Sequence, residues 1–341
     1  MKSSQVTIKD IARELGISPS TVSRAMKDHP DISPETKKLV NDLAKKLNYE
    51  PNSIALSLRS QKTLTIGVII PEIVHFFFST VISGIEEVAY KEGYTVMFCQ
   101  SNESYEKEVI DTKALLSHRV DGLLVSHARE TKNFDHFKEV EDRNIPMVFF
   151  DRIVKDLDVN KVIVDDYEGA RKATSHLIEQ KCTKIAHLAG PENLQISKDR
   201  LNGYTNALKE AGLEFRADYI INCGHGTRTE GYDCMKALLS LKDPPDAVFA
   251  NNDIAAYGAM IAIKEAGLHI PNDIAVVGFS NWQFSSLIDP ELSTVSQPGL
   301  EMGHAAARLL LDELKNKDDT MMHSTHVLPA DLVIRKSSIR N

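Results

Sequence analysis

The sequence predicts an α/β protein with a helical head: an N-terminal three-helix helix-turn-helix followed by a hinge helix, then a body of two doubly wound parallel-sheet subdomains. Three observations predict it. Up to about residue 50, apolar residues recur at helical spacing between repeated helix-start signals. From Leu64 onward, short apolar runs alternate with amphipathic stretches, the pattern of βαβ units and parallel sheet. At 341 residues the chain is also too long for one ordinary domain.

In the head, Thr7 is placed to cap a helix from Ile8 through Leu15, with Asp10 at the capping-box position and Gly16 where the helix must stop. Ser18-Pro19 repeats the start signal for a second helix to about Met26. Ala12 lets the two helices cross closely, and Ile11, Leu15, Ile17 and Val22 fill the space between them. A third helix starts at Ser33-Pro34-Glu35 and runs to about Leu47, with Leu39, Val40, Leu43, Ala44 and Leu47 as its expected buried stripe. Two short helices joined by a glycine turn outline a DNA-reading motif whose second helix enters the major groove. Its outward positions are Pro19, Ser20, Thr21, Ser23 and Arg24. Arg24 suits the bidentate contact to guanine, with a solvated arginine as the plain alternative, whereas Thr21 and Ser23 suit phosphates. Pro19 and Ser20 offer base edges little, so part of any specificity falls to DNA shape.

Charge agrees with this polarity. Residues 1–60 carry ten Lys or Arg against seven Asp or Glu, while the whole chain has a net charge of −8, so a mildly basic head sits on an acidic body. No apolar run approaches the roughly 20 residues of a membrane helix, and the start at Met1-Lys2-Ser3-Ser4 has no signal-peptide pattern, so a cytoplasmic protein is expected. Cys99, Cys182, Cys223 and Cys234 form no Cys-x-x-Cys pair and lie at no zinc spacing, which reads as four reduced packing residues with no metal and no cofactor. There is no Gly-x-Ser-x-Gly elbow, no phosphate loop and no His-Glu-x-x-His, so no enzyme is expected.

In the body, expected strands are 65–70, 95–99, 122–125 and 147–150, then a second series at 162–164, 185–188, 219–221, 248–250 and 275–277. Ligands of open α/β sheets bind beyond the carboxyl ends of the strands, so two facing sheets predict a clamshell with its ligand in the cleft. His127, just past the third strand, reads as a satisfied loop histidine, and Asp165 and Asp166 as caps of the helix at Tyr167 rather than a catalytic pair.

The run Val6-Thr7-Ile8-Lys9-Asp10-Ile11-Ala12 through Ser20-Thr21-Val22-Ser23-Arg24, followed by Leu47-Asn48-Tyr49-Glu50-Pro51-Asn52, resembles the DNA-binding head of the lactose repressor and galactose repressor family. The resemblance continues through Val120-Asp121-Gly122, Phe150-Asp151-Arg152, Gly190-Pro191, Asp199-Arg200-Leu201-Asn202-Gly203-Tyr204, Asn252-Asp253 and Ile274 to Phe279, and so spans nearly the whole chain. It implies a periplasmic-binding-protein-like body and a hinge helix at about 51–60 that wedges Leu58 into the minor groove. It also adds Thr7, Asn52 and Ala55 to the DNA-binding residues. Ala55-Leu56-Ser57-Leu58 stands where the family usually has Ala-Arg-x-Leu.

The resemblance divides the chain into a DNA-binding domain at 1–61 and an effector-binding and dimerisation domain at 62–341. The latter is split into subdomain 1 (about 62–161 and 292–324) and subdomain 2 (about 162–291 and 325–341). The implied effector-binding residues are Phe77, Asp151, Arg152, Arg200, Asn252, Asp253, Ser280 and Trp282. Ser280 replaces an aspartate common in the family, and Trp282 offers a stacking face or a packing role. The expected function is a ligand-responsive transcription regulator, a repressor of carbohydrate-uptake or catabolic genes, binding a palindromic operator as a homodimer. A sugar or sugar derivative is the expected effector, with a purine or nucleoside as the alternative. A solute-binding protein would share the clamshell but have no use for the head.

Overall fold

A computed structural model describes residues 6–49, 62–316 and 322–340. The chain divides into two compact units, residues 1–63 and 64–341. In the first, α1 (Ile8–Leu15), α2 (Pro19–Met26) and α3 (Pro34–Lys46) form as their local chemistry dictates. The backbone N–H and hydroxyl of Thr7 both donate to Asp10, at 3.0 and 2.6 Å. Gly16 takes φ +66°, a left-handed stop that a Cβ would strain. Ser18 and Ser33 accept from the backbone N–H of Thr21 and Thr36, at 3.1 and 3.2 Å. Ile11, Ala12, Val22, Ala25, Val40, Leu43 and Ala44 make the small core. Leu39 is not part of it: it lies 55% exposed, because its helix turns that position away from α1 and α2.

The second unit contains two six-stranded sheets. Strands β1 (Thr65–Ile70), β2 (Thr95–Gln100), β3 (Gly122–Val125), β4 (Met147–Phe150) and β5 (Asn160–Val164) alternate with α4 (Phe76–Lys91), α5 (Tyr105–Ser117) and α6 (Asp135–Asp142). Then follow α7 (Asp166–Glu179), β6 (Ile185–Ala189), α8 (Gln195–Glu210), β7 (Ile220–Asn222), α9 (Arg228–Leu239), β8 (Ala247–Ala250), α10 (Asp253–Glu265), β9 (Ala275–Phe279), β10 (Ser293–Ser296), α11 (Gly299–Lys315), β11 (Thr325–Leu328) and β12 (Asp331–Val333). The first sheet has the order β11-β5-β4-β3-β1-β2 and is parallel throughout, whereas the second has the order β12-β10-β9-β8-β6-β7, with β12 antiparallel to β10.

Strand membership corrects the subdomain limits read from sequence. β5 pairs with β4 and belongs to the first sheet, although its position suggested the start of the second series. β10 pairs with β9 in the second sheet, and β11 returns to β5 in the first. The chain therefore crosses between lobes after Val164, after Ser296 and after Leu328, rather than at 161, 291 and 324. Hydrogen-bond partners distant in sequence decide this membership, and strand periodicity carries no record of them.

Alternate residues of β1 separate two cores, as a strand requires. Ile66, Val68 and Ile70 face Val81, Ile85 and Met302 of α4 and α11, while Ile69 packs with Leu123, Phe137 and Phe149 on the other side. α4 and α11 approach so closely that a Cβ on Gly84 would overlap the Leu300 carbonyl, and one on Gly303 the Val81 carbonyl. Two of the four cysteines are not reduced: Cys223 and Cys234 form a disulfide, with Cα atoms 6.2 Å apart, because the loop after β7 returns against the second turn of α9. Cys99 and Cys182 are free.

Candidate functional site

The carboxyl ends of the strands from both lobes converge on one cavity of about 120 Å³. All eight residues expected at an effector site, Phe77, Asp151, Arg152, Arg200, Asn252, Asp253, Ser280 and Trp282, line it. Their roles in holding it together differ.

Arg200, on α8, is nearly buried. Its Nε and Nη2 meet Asp166 Oδ1 at 2.8 and 2.7 Å, its Nη1 donates to the Asn251 carbonyl at 2.6 Å, and its guanidinium lies 3.7 Å from the centre of the Phe279 ring. A planar cation fixed on two sides keeps its remaining edge in one orientation. Burial pushes the Asp166 carboxyl up, and Arg200 opposes that rise.

Arg152 does not pair chiefly with its neighbour Asp151. Its two Nη atoms grip Glu103 at 2.7 and 3.0 Å, whereas its Nε stands 4.0 Å from Asp151. Arg129 holds the same Glu103 through its backbone N–H at 2.7 Å and its Nη2 at 3.0 Å. Burial alone would raise Glu103, but the two guanidiniums outweigh it and hold its carboxyl at about 2. Asp151 has φ +58° and no such compensation; burial pushes its carboxyl up to about 7 against the pull of Arg152.

Asn252 caps α10, its Oδ1 accepting from Ala255 N–H at 2.8 Å. Asp253 is spent on the protein: it accepts from Trp282 N–H at 2.6 Å, Ser285 Oγ at 2.7 Å and Thr294 Oγ1 at 2.5 Å. These bonds pin the loop after β9, where Ser280 takes φ +109° and Asn281 φ +50°, backbone that only surrounding contacts can maintain. Ser280 donates its hydroxyl to Gln297 at 2.8 Å. Trp282 meets Phe284 edge to face at 4.8 Å and still presents itself to the cavity. Of the three consecutive phenylalanines, Phe77 and Phe78 are buried, while Phe76 is 37% exposed.

Sequence reasoning missed several residues of the wall and of the layer behind it. Asp166 reads as a cap, and the cap is in fact Asp165, which accepts from Glu168 N–H at 2.9 Å. Arg129, Ser197, His225, Asn251 and Gln297 also line the cavity, and Glu103 stands behind it. Ser197 Oγ and Asn251 Oδ1 are buried without a hydrogen-bond partner among the described residues. The only available signal was their position beyond strand ends. His127 is satisfied by the Ala128 carbonyl at 2.9 Å and does not line the cavity.

In the head, Pro19, Ser20 and Arg24 are exposed on α2, and Thr21 and Ser23 are half-buried. Ser18 Oγ lies 2.7 Å from Ser20 Oγ and 2.8 Å from Thr21 Oγ1, a hydroxyl cluster at the helix N-terminus. Arg24 has no ion pair among the described residues. Thr7 is exposed at the cap of α1. Asn52, Ala55 and Leu58, with the whole expected hinge helix, lie outside the described residues. Among the described residues no helix is long and apolar enough to cross a membrane.

Comparison with known proteins covers both units. The family described as "Bacterial regulatory proteins, lacI family" matches residues 7–52, and that described as "Periplasmic binding proteins and sugar binding domain of LacI family" matches residues 63–336. The chain is 35% identical over 336 residues to the ribose operon repressor of Halalkalibacterium halodurans, covering 97% of each. It is 33% identical over 334 residues to catabolite control protein A of Priestia megaterium, covering 98% of this chain and 99% of that protein. Among solved structures, the lac repressor dimer bound to operator and the anti-inducer ONPF superposes with a TM-score of 0.87 at 28% identity, over 99% of this chain and 100% of that one. The CelR regulator–cellobiose complex gives 0.75 at 27% identity, over 97% and 99%.

Proposed function

The chain belongs to the LacI family of bacterial regulatory proteins, and on that premise we propose that its cleft is the effector site and α2 its operator-reading helix. It is a transcription regulator and not an enzyme. The observation that carries the effector site is Arg200, held in one orientation at the wall where the strand ends of both lobes converge. The relatives that support the reading include a ribose operon repressor and the HTH-type transcriptional repressor PurR. The chain acts as a homodimer on a palindromic operator, in the cytoplasm, with a sugar or sugar derivative as effector.

Arg24, Thr21, Ser23, Ser20, Pro19 and Thr7 are the DNA-facing set on the head, with Asn52, Ala55 and Leu58 supplying the hinge. Arg24 contributes base discrimination, and the hydroxyls around Ser18 suit phosphate oxygens at a helix N-terminus. Phe77, Asp151, Arg152, Arg200, Asn252, Ser280 and Trp282 form the effector wall, while Asp253 acts by fixing the loop that carries Ser280 and Trp282.

Fluorescence anisotropy on operator-containing DNA from the gene's own upstream region tests both halves. Arg24→Ala is expected to lose about 1–3 kcal/mol on operator and little on random DNA. Arg200→Lys is expected to keep operator affinity while abolishing the response to effector. Equal loss on both DNAs would make Arg24 a phosphate contact, and an unaltered response would remove Arg200 from the site.

A further inference from the structure

The cavity wall carries three guanidiniums, and they are not equally matched. Arg200 has Asp166 to itself. Arg129 and Arg152 share the single carboxylate of Glu103. We propose that the effector is an acidic small molecule, a single ring bearing one carboxylate or phosphate, whose anionic group docks beside Arg129 and Arg152. This rests on the reading of the cleft as the effector site and adds the charge of its occupant.

Four observations carry it. Arg129 and Arg152 share one carboxylate held well ionised, Glu103, and the other carboxyl beside Arg152, Asp151 at 4.0 Å, is pushed by burial up to about 7, so the pair keeps positive charge that favours an incoming anion. The Nε atoms of Arg129 and Arg152 are buried without a hydrogen-bond partner among the described residues. Both side chains are largely buried, at 16% and 10% exposure, and both reach the cavity. The cavity, at about 120 Å³, is well below the roughly 300 Å³ of an ordinary ligand pocket, which favours one ring over a chain of them.

Arg129 also gives the charge a mechanical consequence. It stands on the loop after β3 in the first lobe, yet its carbonyl accepts from Asn193 Nδ2 at 2.6 Å and its guanidinium donates to His225 Nδ1, both in the second lobe. An anion that engages Arg129 therefore acts on the contact between lobes. Asp151 is the wall carboxyl beside the two arginines, facing Arg152, Arg200, Asp166 and Glu103. Burial has raised it to about 7, so it can take up a proton as the anion enters, and binding should tighten as pH falls through that value.

The test is calorimetric titration of the full chain with matched probes: hexuronates, hexose 6-phosphates and the parent neutral hexoses, at low and high salt. An acid is expected to bind about tenfold or more tighter than its neutral parent, the scale of one charge-assisted hydrogen bond, and to weaken with salt. Whether the uronate or the phosphate member wins identifies the anion. Arg129→Gln should erase the preference of acid over neutral hexose, and Arg129→Lys should restore most of it. Neutral hexoses binding as tightly as their acids, an equal loss of both in Arg129→Gln, or no binding by any acid would overturn the proposal. Operator binding, measured on the same preparation without sugar, fails separately if the regulatory reading is wrong.

Discussion

Asp151 sits beyond β4 in a left-handed backbone conformation, its carboxyl raised to about 7 by burial. Between the ordinary 3.8 and that value, the folded chain holds a proton that the unfolded chain has lost. Folding stability is therefore fully present below about pH 4 and declines as pH rises toward 7. Asp151→Asn should melt at higher temperature than the parent above neutrality, by a margin on the order of 1–4 kcal/mol, and converge with it near pH 4. A melting series across pH checks this, and parallel curves would mean that the carboxyl is ionised in the fold. At this scale the sequence was a partial guide. Arg200 and Asp151 were legible because they stand in motifs beyond strand ends. Glu103 and Asp166 were not, because their roles come from guanidiniums 49 and 34 residues away, and nothing local distinguishes them from loop or cap carboxylates.

Helices were more legible than sheets for a related reason. The starts of α1, α2 and α3 depend on side chains three residues from the groups they satisfy, so Thr7-Asp10, Ser18-Pro19 and Ser33-Pro34 could be read directly. Sheet membership depends on partners far along the chain, and β5, β10 and β11 were accordingly placed in the wrong lobe. The α4–α11 contact shows what a nonlocal constraint asks of sequence. Gly84 and Gly303 are each in helix interiors, where glycine is disfavoured by about 1 kcal/mol relative to alanine. Their absent side chains let two backbones meet. Gly84→Ala should therefore destabilise despite its better helix propensity, by about 1–3 kcal/mol in urea unfolding. A gain in stability would show that the helices can part without cost.

At the scale of the molecule, effector and operator belong to one thermodynamic cycle. If closing the cleft alters operator affinity by some factor, operator must alter effector affinity by that same factor. Calorimetry with and without operator, compared with anisotropy with and without effector, should return matching ratios; unequal ratios would mean that the protein populates a further state, such as a change of oligomer. The interleaved lobes add a consequence for synthesis. β11 completes the first sheet and β12 the second, and both lie after residue 324. A ribosome must therefore pass residue 324 before either lobe can begin to complete its sheet, and a stop ahead of that point would take an edge strand from both halves of the sensor at once.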